Sequence, residues 1–251
     1  MILPSGLRDA LRGVRRIGVI TGAGVSRESG IRTYRGRGGV YDDPEEGDAT
    51  VEALSGRTLR ADPGRTWRAL ARMTRESLHA RPNAAHHAIV RMEERAQGFV
   101  LLTQNVDGLH QRAGSRNVID IHGSLTAVRC MQCGEPGRLE PEVIASLGGA
   151  PRCPHCSGTL RPGAVLFGEL LPTEKLARIE EEMLADPPDL VLTVGTTALF
   201  PYIVEPVVAA RRAGRLTVEV NVERTSLSDG VTHFVEAAAG VALPELAALL
   251  G

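Results

Sequence analysis

The sequence predicts an α/β protein: a parallel sheet covered by helices and interrupted by two insertions. Strand-like apolar runs alternate with helical patterns along most of the chain, the sequence mark of a parallel sheet. The first apolar run ends in a glycine turn, "TGAGVSRESG". All four cysteines fall between positions 130 and 156, inside one of the two stretches where the alternation stops. At 251 residues the chain can bury a large core.

Taken in order, "RRIGVIT" is the first strand, and the turn after it is where a dinucleotide's phosphates bind in open α/β sheets. Its spacing departs from the G-x-G-x-x-G fingerprint. Gly22 and Gly24 are present, but the third position is Arg27. "AHHAIVRMEERA" is an amphipathic helix leading into the strand "GFVLLTQN", and "NVIDIHG" holds another short strand. Near the end come the strand "PDLVLTVGTT", the helix "YIVEPVVAARRAG" and the strand "RLTVEVN". Two stretches break the rhythm. Gly36–Arg81 is charged and glycine-rich, with a helical pattern only from about Pro63 to Leu78; Arg129–Leu160 carries the cysteines. Both read as insertions into a nucleotide-binding core that resumes afterwards.

Charge is balanced, −1 from 29 basic and 30 acidic side chains, so neither nucleic acid nor an anionic membrane is expected as the main partner. The opening "MILPSGLRDALRGVRR" has too short an apolar run for a secretory signal, and no apolar run approaches the roughly 20 residues that span a bilayer. A cytoplasmic protein is the expectation. Its oligomeric state is not encoded in any heptad run.

Cys130 and Cys133 form one C-x-x-C knuckle and Cys153 and Cys156 another, with residues 134–152 between them. That is the spacing of a structural zinc ribbon. Four thiolates close a tetrahedral shell and leave no open position for catalysis. Redox-active pairs and disulfides are the rival readings, and a cytoplasmic chain disfavours stable disulfides.

Polar residues gather where the strands end. "LLTQNVDGLHQRAG" places Gln104, Asn105, Asp107 and His110 after an apolar strand, either as a ligand rim or as a capped helix start with Asn105 or Asp107 at the cap. "VIDIHGSL" places His122 after a second strand, where imidazole suits a general base for a sugar hydroxyl. Gly195, Thr196 and Thr197 follow a third strand and suit phosphate or ribose; Asn221 and Glu223 end a fourth and suit ribose hydroxyls. "PGAVLFGE", Pro162–Glu169, is either a core strand or an edge that pairs with an incoming peptide.

In this order the motifs resemble the sirtuins, the NAD-dependent protein-lysine deacylases. "GAGVSRESGIRTYRG", "TQNVDGLHQRAG", "HGSL", the two knuckles, "PGAVLFGE", "GTT" and "VNVE" span nearly the whole chain. The resemblance implies a Rossmann-like domain (1–35, 82–128 and 161–251) and a small domain made of a helical insertion (36–81) and a zinc-binding module (129–160). It implies NAD as a consumed co-substrate, one structural zinc, and acyl-lysine proteins or peptides as partners. Gly22, Ala23, Gly24, Ser26 and Thr33 would belong to the loop around the NAD phosphates and nicotinamide ribose, with Tyr41 beyond it. Tyr34 stands where the family usually has Phe, and Arg35 is the loop's arginine. Asn105 and Asp107 would bind the nicotinamide end and Gln104 its ribose. Thr196 and Thr197, after Gly195, would meet phosphate and ribose, Asn221 and Glu223 the adenosine ribose, and Ala239 the adenine. Val165, Phe167, Gly168 and Glu169 would pair with the peptide. By the family's chemistry, the acyl oxygen attacks C1′ of the nicotinamide ribose, with Asn105 at that reacting end. His122 then deprotonates a ribose hydroxyl, and the products are nicotinamide, 2′-O-acyl-ADP-ribose and lysine.

Within the family, Thr33 and "RPNAAHHAI" look like the branch that removes succinyl and malonyl groups. That branch reads the acyl carboxylate with a Tyr-x-x-Arg pair after a P-x-R-x-W sequence. Here the sequence is Pro63–Trp67, and the pair falls on Leu70 and Met73. Neither can offset a buried carboxylate. Arg72 and Arg75 are near in sequence but project from other faces of a helix, so that only a shifted register would let one of them meet an acidic acyl group. With Ala69, the pocket is expected to be apolar and roomy, giving a deacetylase that accepts longer hydrophobic acyl groups. The alternatives are a desuccinylase or demalonylase, and a mono-ADP-ribosyltransferase, which His122 disfavours.

Overall fold

The computed structural model describes residues 3–35 and 38–250. The last residue of the first glycine motif, Gly36, and the first two of the chain lie outside the described residues. Among the described residues the strands are β1 (Arg16–Thr21), β2 (Gly98–Thr103), β3 (Val118–Asp120), β4 (Ala127–Cys130), β5 (Pro136–Arg138), β6 (Leu160–Pro162), β7 (Leu190–Val194), β8 (Leu216–Asn221) and β9 (His233–Glu236). The chain divides into two compact units, one of residues 1–29, 81–121 and 172–251, the other of 30–80 and 122–171.

The first unit is a six-stranded sheet in the order β3-β2-β1-β7-β8-β9, parallel throughout. Its strands taken in chain order read 3-2-1-4-5-6, the order of a Rossmann fold, with the switch point between β1 and β7. Helices cover both faces, so the central strands are apolar on both sides and read as continuous runs. Ile17 and Val19 of β1 join Leu101, Leu192 and Val218 in one core, closed by Ile89 and Met92 of the helix Ala84–Arg95 and by Leu243 and Leu246 of the helix Ala239–Leu249. On the other face Gly18 lies under Met183 and Pro188. The expected fold class therefore stands. The sequence reading did not include β9, four residues at the sheet edge and too short to show a pattern.

The second unit holds the antiparallel sheet β5-β4-β6 and the helices Pro44–Ala53, Gly56–Ala61, Pro63–Ser77 and Pro141–Ser146. Leu59, Trp67 and Leu70 from the helices share a core with Val128, Cys130, Cys153, Leu160 and Leu166. The Trp67 indole N–H donates to the Leu160 carbonyl at 2.8 Å. The helical insertion and the cysteine module are thus one packed body. Its limits are wider than the sequence boundaries: residues 30–35, 122–128 and 161–171 belong to it. The reason is pairing, because β4 needs β6 beside it. The first two helices fall in the stretch read as irregular. Each is announced by a cap: Asp43 accepts from the Glu45 and Glu46 N–H groups before Pro44, and Ser55 from that of Thr58.

Candidate active site

In the first unit the loops after β1 and β7 leave on either side of the switch point, and glycines let them touch. Gly22 N–H donates to the Val194 carbonyl and Gly24 N–H to that of Gly195. A Cβ on Gly24 would lie 2.7 Å from Gly195 Cα, and one on Gly195 2.7 Å from the Gly24 carbonyl carbon and the Val25 nitrogen. Gly195 also has φ +56°, where a side chain is strained. Gly22 and Gly24 therefore serve loop-to-loop contact, which explains why the third glycine of the fingerprint is dispensable. Ala23 to Ser29 then coil as a 3-10 helix.

Ser26 is fully buried and joins two of the strand-end side chains: its hydroxyl donates to Asp107 Oδ2 at 2.7 Å and accepts from Asn105 Nδ2 at 3.1 Å. Asp107 Oδ1 accepts the Leu109 N–H at 2.9 Å. Asp107 Oδ1 thus serves the helix start from the residue before its N-cap, Gly108, while Oδ2 takes the Ser26 hydroxyl. Burial pushes its carboxyl above the usual range, against the pull of the Leu109 N–H and the Ser26 hydroxyl. Across the switch point, Thr196 is a second hub. Gln104 Nε2 donates to its hydroxyl at 2.8 Å, and Asn221 Nδ2 to its carbonyl at 2.9 Å. Thr197 and Glu223 are exposed, and Ala239 is buried at a helix start whose Gly240 N–H is taken by Glu28. His110 departs from the rim: the short helix Leu109–Ala113 turns it inward, where it is 1% exposed.

In the second unit His122 is half-buried and its backbone is held firmly. Its carbonyl accepts the Val165 N–H at 2.9 Å. The next residue, Gly123, has φ +76° and passes so close to Gly163 that a Cβ would stand 2.2 Å from the Gly163 carbonyl oxygen. Phe167 pairs in parallel with Ser55, giving its N–H to the Leu54 carbonyl and accepting the Gly56 N–H. Gly168 turns the chain at φ +80°, and the Glu169 carboxylate is gripped by both Arg161 nitrogens (3.0 and 2.8 Å) and the Leu166 N–H. Burial raises the Glu169 carboxyl, but these contacts outweigh it and hold it below the usual range. Earlier in this unit Thr33 and Tyr34 pair with Val40 and Tyr41 through backbone bonds of 2.9 Å, and Arg35 lies 4.9 Å from the centre of the Tyr41 ring.

The four thiol sulfurs lie within 4.8 Å of one another. Cys130 and Cys156 are 3.4 Å apart and Cys133 and Cys153 3.8 Å. A tetrahedron with Zn–S bonds of about 2.3 Å has edges of about 3.8 Å, whereas a disulfide needs about 2.05 Å. Backbone N–H groups of Gln132, Cys133 and Gly158 point at the sulfurs, as suits thiolates. The donor set and spacing fit one zinc ion.

A profile described as the Sir2 family matches residues 22–200. The chain belongs to the Sir2 family. Among its relatives are the "NAD-dependent protein deacylase 2" of Pseudomonas aeruginosa, 49% identical over 89% of this chain and 88% of the relative, and that of Pseudomonas syringae pv. tomato, 42% identical over 95% and 96%. A solved Sir2 homologue–NAD complex superposes with TM-score 0.85 at 33% identity, covering 98% of this chain and 93% of the other.

In this sirtuin the helix Pro63–Ser77 carries Ala69, Leu70 and Met73, the residues the sequence reading placed at the acyl group. Its buried face is Thr66, Trp67, Ala69, Leu70, Ala71 and Thr74, with Met73 half-buried. Arg72 is exposed, and the Arg75 guanidinium is spent on the Ala145 carbonyl at 2.6 Å. No cation stands on that face of the helix among the described residues. Sequence reasoning did not find Arg161, which organises Glu169, nor Thr21 and Thr103, whose hydroxyls bond at 2.8 Å behind the strand ends. A threonine inside an apolar strand carries no signal of its partner.

Proposed function

We propose that this sirtuin is an NAD-dependent protein-lysine deacylase with a preference for uncharged acyl groups. The observation that carries the proposal is the Ser26 bridge between Asn105 and Asp107 at the ends of β1 and β2. Amide and carboxylate are held side by side, a donor and an acceptor set that matches a carboxamide. The relatives named as NAD-dependent deacylases, and homologues solved with NAD and with ADP-ribose, support the same co-substrate. A further homologue was solved with a deacetylated peptide, which supports an acyl-lysine peptide as the second substrate.

On this reading Asn105 and Asp107 hold the carboxamide, and Gln104, Thr196 and Asn221 order the ribose and phosphate portion. The acyl oxygen of the modified lysine displaces nicotinamide at C1′. His122 then accepts the proton of a ribose hydroxyl, whose oxygen attacks the acyl carbon. The fixed carbonyl of His122 and the close approach at Gly123 hold the backbone that carries the imidazole. Glu169, locked by Arg161, shapes the peptide-pairing segment Val165–Gly168 from behind. A zinc ion held by Cys130, Cys133, Cys153 and Cys156 would stabilise the second unit and, with four thiolate ligands, would take no part in the chemistry.

The acyl preference follows from the helix Pro63–Ser77. Desolvating a carboxylate against Leu70 and Met73 costs several kcal/mol with no cation to offset it, while an acetyl or longer hydrophobic group loses nothing. The test is acyl-peptide-dependent nicotinamide release with His122→Ala as control. The variant should lose at least about a hundredfold in deacylation, the usual contribution of a positioned general base. Deacylation retained within a factor of three in His122→Ala would remove the assigned base.

A further inference from the structure

The strand β8 carries an acid between two core valines. Val218 and Val220 belong to the core of the first unit, so Glu219 between them points to the other face of the sheet, where it is 1% exposed. A glutamate is almost never so buried unless it is paired. Here the partners are hydroxyls and not a cation. Oε1 accepts from Thr225 Oγ1 at 2.5 Å and Oε2 from Ser228 Oγ at 2.6 Å, the lengths of hydroxyl-to-carboxylate bonds.

Each hydroxyl has a second task. Thr225 Oγ1 accepts the Leu227 N–H at 3.1 Å, and Ser228 Oγ accepts the Thr225 N–H at 2.8 Å. The Ser228 N–H returns to the Thr225 carbonyl at 3.2 Å. One carboxylate thus ties residues 225–228 to the middle of β8 through a closed network. From outside, Arg224 lies 4.8 Å from the centre of the Phe234 ring on β9 and pairs with Asp229. The segment held in this way leaves β8 at Asn221, two residues beyond Glu219 on the same face. Asn221 Nδ2 donates to the Thr196 carbonyl, its Oδ1 accepts the Val222 N–H at 2.9 Å, and Glu223 follows, exposed. The residues that suit ribose hydroxyls therefore lie on a short stretch anchored at Glu219 below and at Thr225 beyond.

We propose that Glu219 is a positioning residue for the co-substrate: it anchors the loop after β8 and so sets where Asn221 and Glu223 stand for the adenosine ribose of NAD. An apolar residue at this position would close the same face of the sheet without the cost of desolvating an acid. The acid adds direction, because each of its oxygens meets one particular hydroxyl and each hydroxyl holds one particular N–H of the loop. The anchor rests on this geometry alone. Its effect on NAD rests on the reading that Asn221 and Glu223 meet the adenosine ribose.

The test uses the full-length protein, 15N-labelled for residue-level hydrogen exchange, with ADP-ribose, nicotinamide and acyl-peptide as probes. Glu219→Gln keeps the shape of the strand residue and removes one acceptor. Thr225→Val keeps the shape of the loop residue and removes a donor, so the result does not hang on a substitution inside the sheet. In both, exchange at the Thr225 and Leu227 amides should quicken about tenfold, the loss of one hydrogen bond to a charged group, while β1 amides keep the parent rate. The Kd for ADP-ribose should rise about tenfold, with nicotinamide inhibition and the KM for acyl-peptide within about twofold of the parent. The double variant should lose no more than either single one, because the two residues share one bond. Loop amides that exchange at the parent rate in either variant overturn the anchor, whatever the affinity. Faster exchange with equal losses for all three probes overturns the positioning role, since a weakened fold strikes all of them. Faster exchange with an unchanged Kd for ADP-ribose leaves the anchor standing and overturns the placing of Asn221 and Glu223 at the adenosine ribose. Glu223→Gln leaves the network intact and tests that placing alone: ADP-ribose should bind more weakly with loop exchange unchanged, and binding equal to the parent overturns it.

Discussion

Replacing Gly195 by Ala strikes the place where the two strand-end loops of the first unit cross. Two costs arise independently. The residue sits at φ +56°, which costs an L-residue with a Cβ about 1–2 kcal/mol. The new methyl would also lie 2.7 Å from the Gly24 carbonyl carbon and the Val25 nitrogen, backbone atoms that cannot rotate away. Overpacking of this kind costs about 1–3 kcal/mol. The total, about 2–5 kcal/mol, is a large share of the ~5–15 kcal/mol that stabilises an ordinary domain. Gly214 is the control, because it has φ +70° with nothing within 4 Å of an added Cβ, so Gly214→Ala carries the conformational cost alone. Urea denaturation followed by circular dichroism compares the two, and hydrogen exchange at the β7 amides localises the loss. If the two variants fall within about 0.5 kcal/mol of each other, the glycines are not there for loop-to-loop contact and the account of the altered fingerprint fails.

Three further outcomes are expected. The protein should carry one zinc per chain, and its removal should expose Trp67, which shares a core with Cys130 and Cys153; the sole tryptophan's fluorescence should shift red, and an unchanged spectrum after complete metal loss would contradict this. Below neutral pH the folded state should weaken. His86 and His110 are held at about 4 and about 3 when folded but titrate near 6.5 when unfolded, so the unfolded chain binds more protons as pH falls. Their stabilisation is complete above about pH 6.5 and shrinks by about 4 kcal/mol for the pair by pH 5. A stability curve flat between pH 7 and 5 would refute the buried neutral state, and His86→Gln should roughly halve the slope. Glu169→Gln should cost the Arg161 grip and raise the KM for peptide several-fold while sparing that for NAD; equal effects on both would show that Glu169 does not shape the peptide segment.

What the sequence made legible tracks how local each signal is. Strands β1, β2, β7 and β8 are buried on both faces, so they stand out as apolar runs, and the polar residues after them mark their carboxyl ends. The cysteine knuckles are equally local. The helix Pro44–Ala53 was open to reading through Asp43-Pro44 but was masked by its charge and glycine. The role of Gly24 was out of reach, because its partner Gly195 lies on a loop distant in sequence. His110 reads as a rim residue from its place after a strand; the short helix Leu109–Ala113 turns it into the core, beside His86. Arg161 carries no signal of its own in the sequence, because its role rests on two side-chain bonds to Glu169.

The central claim is tested most directly by a panel of acyl-lysine peptides, from acetyl through succinyl to myristoyl, incubated with NAD. Nicotinamide, 2′-O-acyl-ADP-ribose and free lysine should appear in equal amounts, with kcat/KM for acetyl and longer hydrophobic groups well above that for succinyl. Nicotinamide release that ignores the acyl-peptide would contradict the deacylase, and comparable kcat/KM for succinyl and acetyl would contradict the proposed acyl preference.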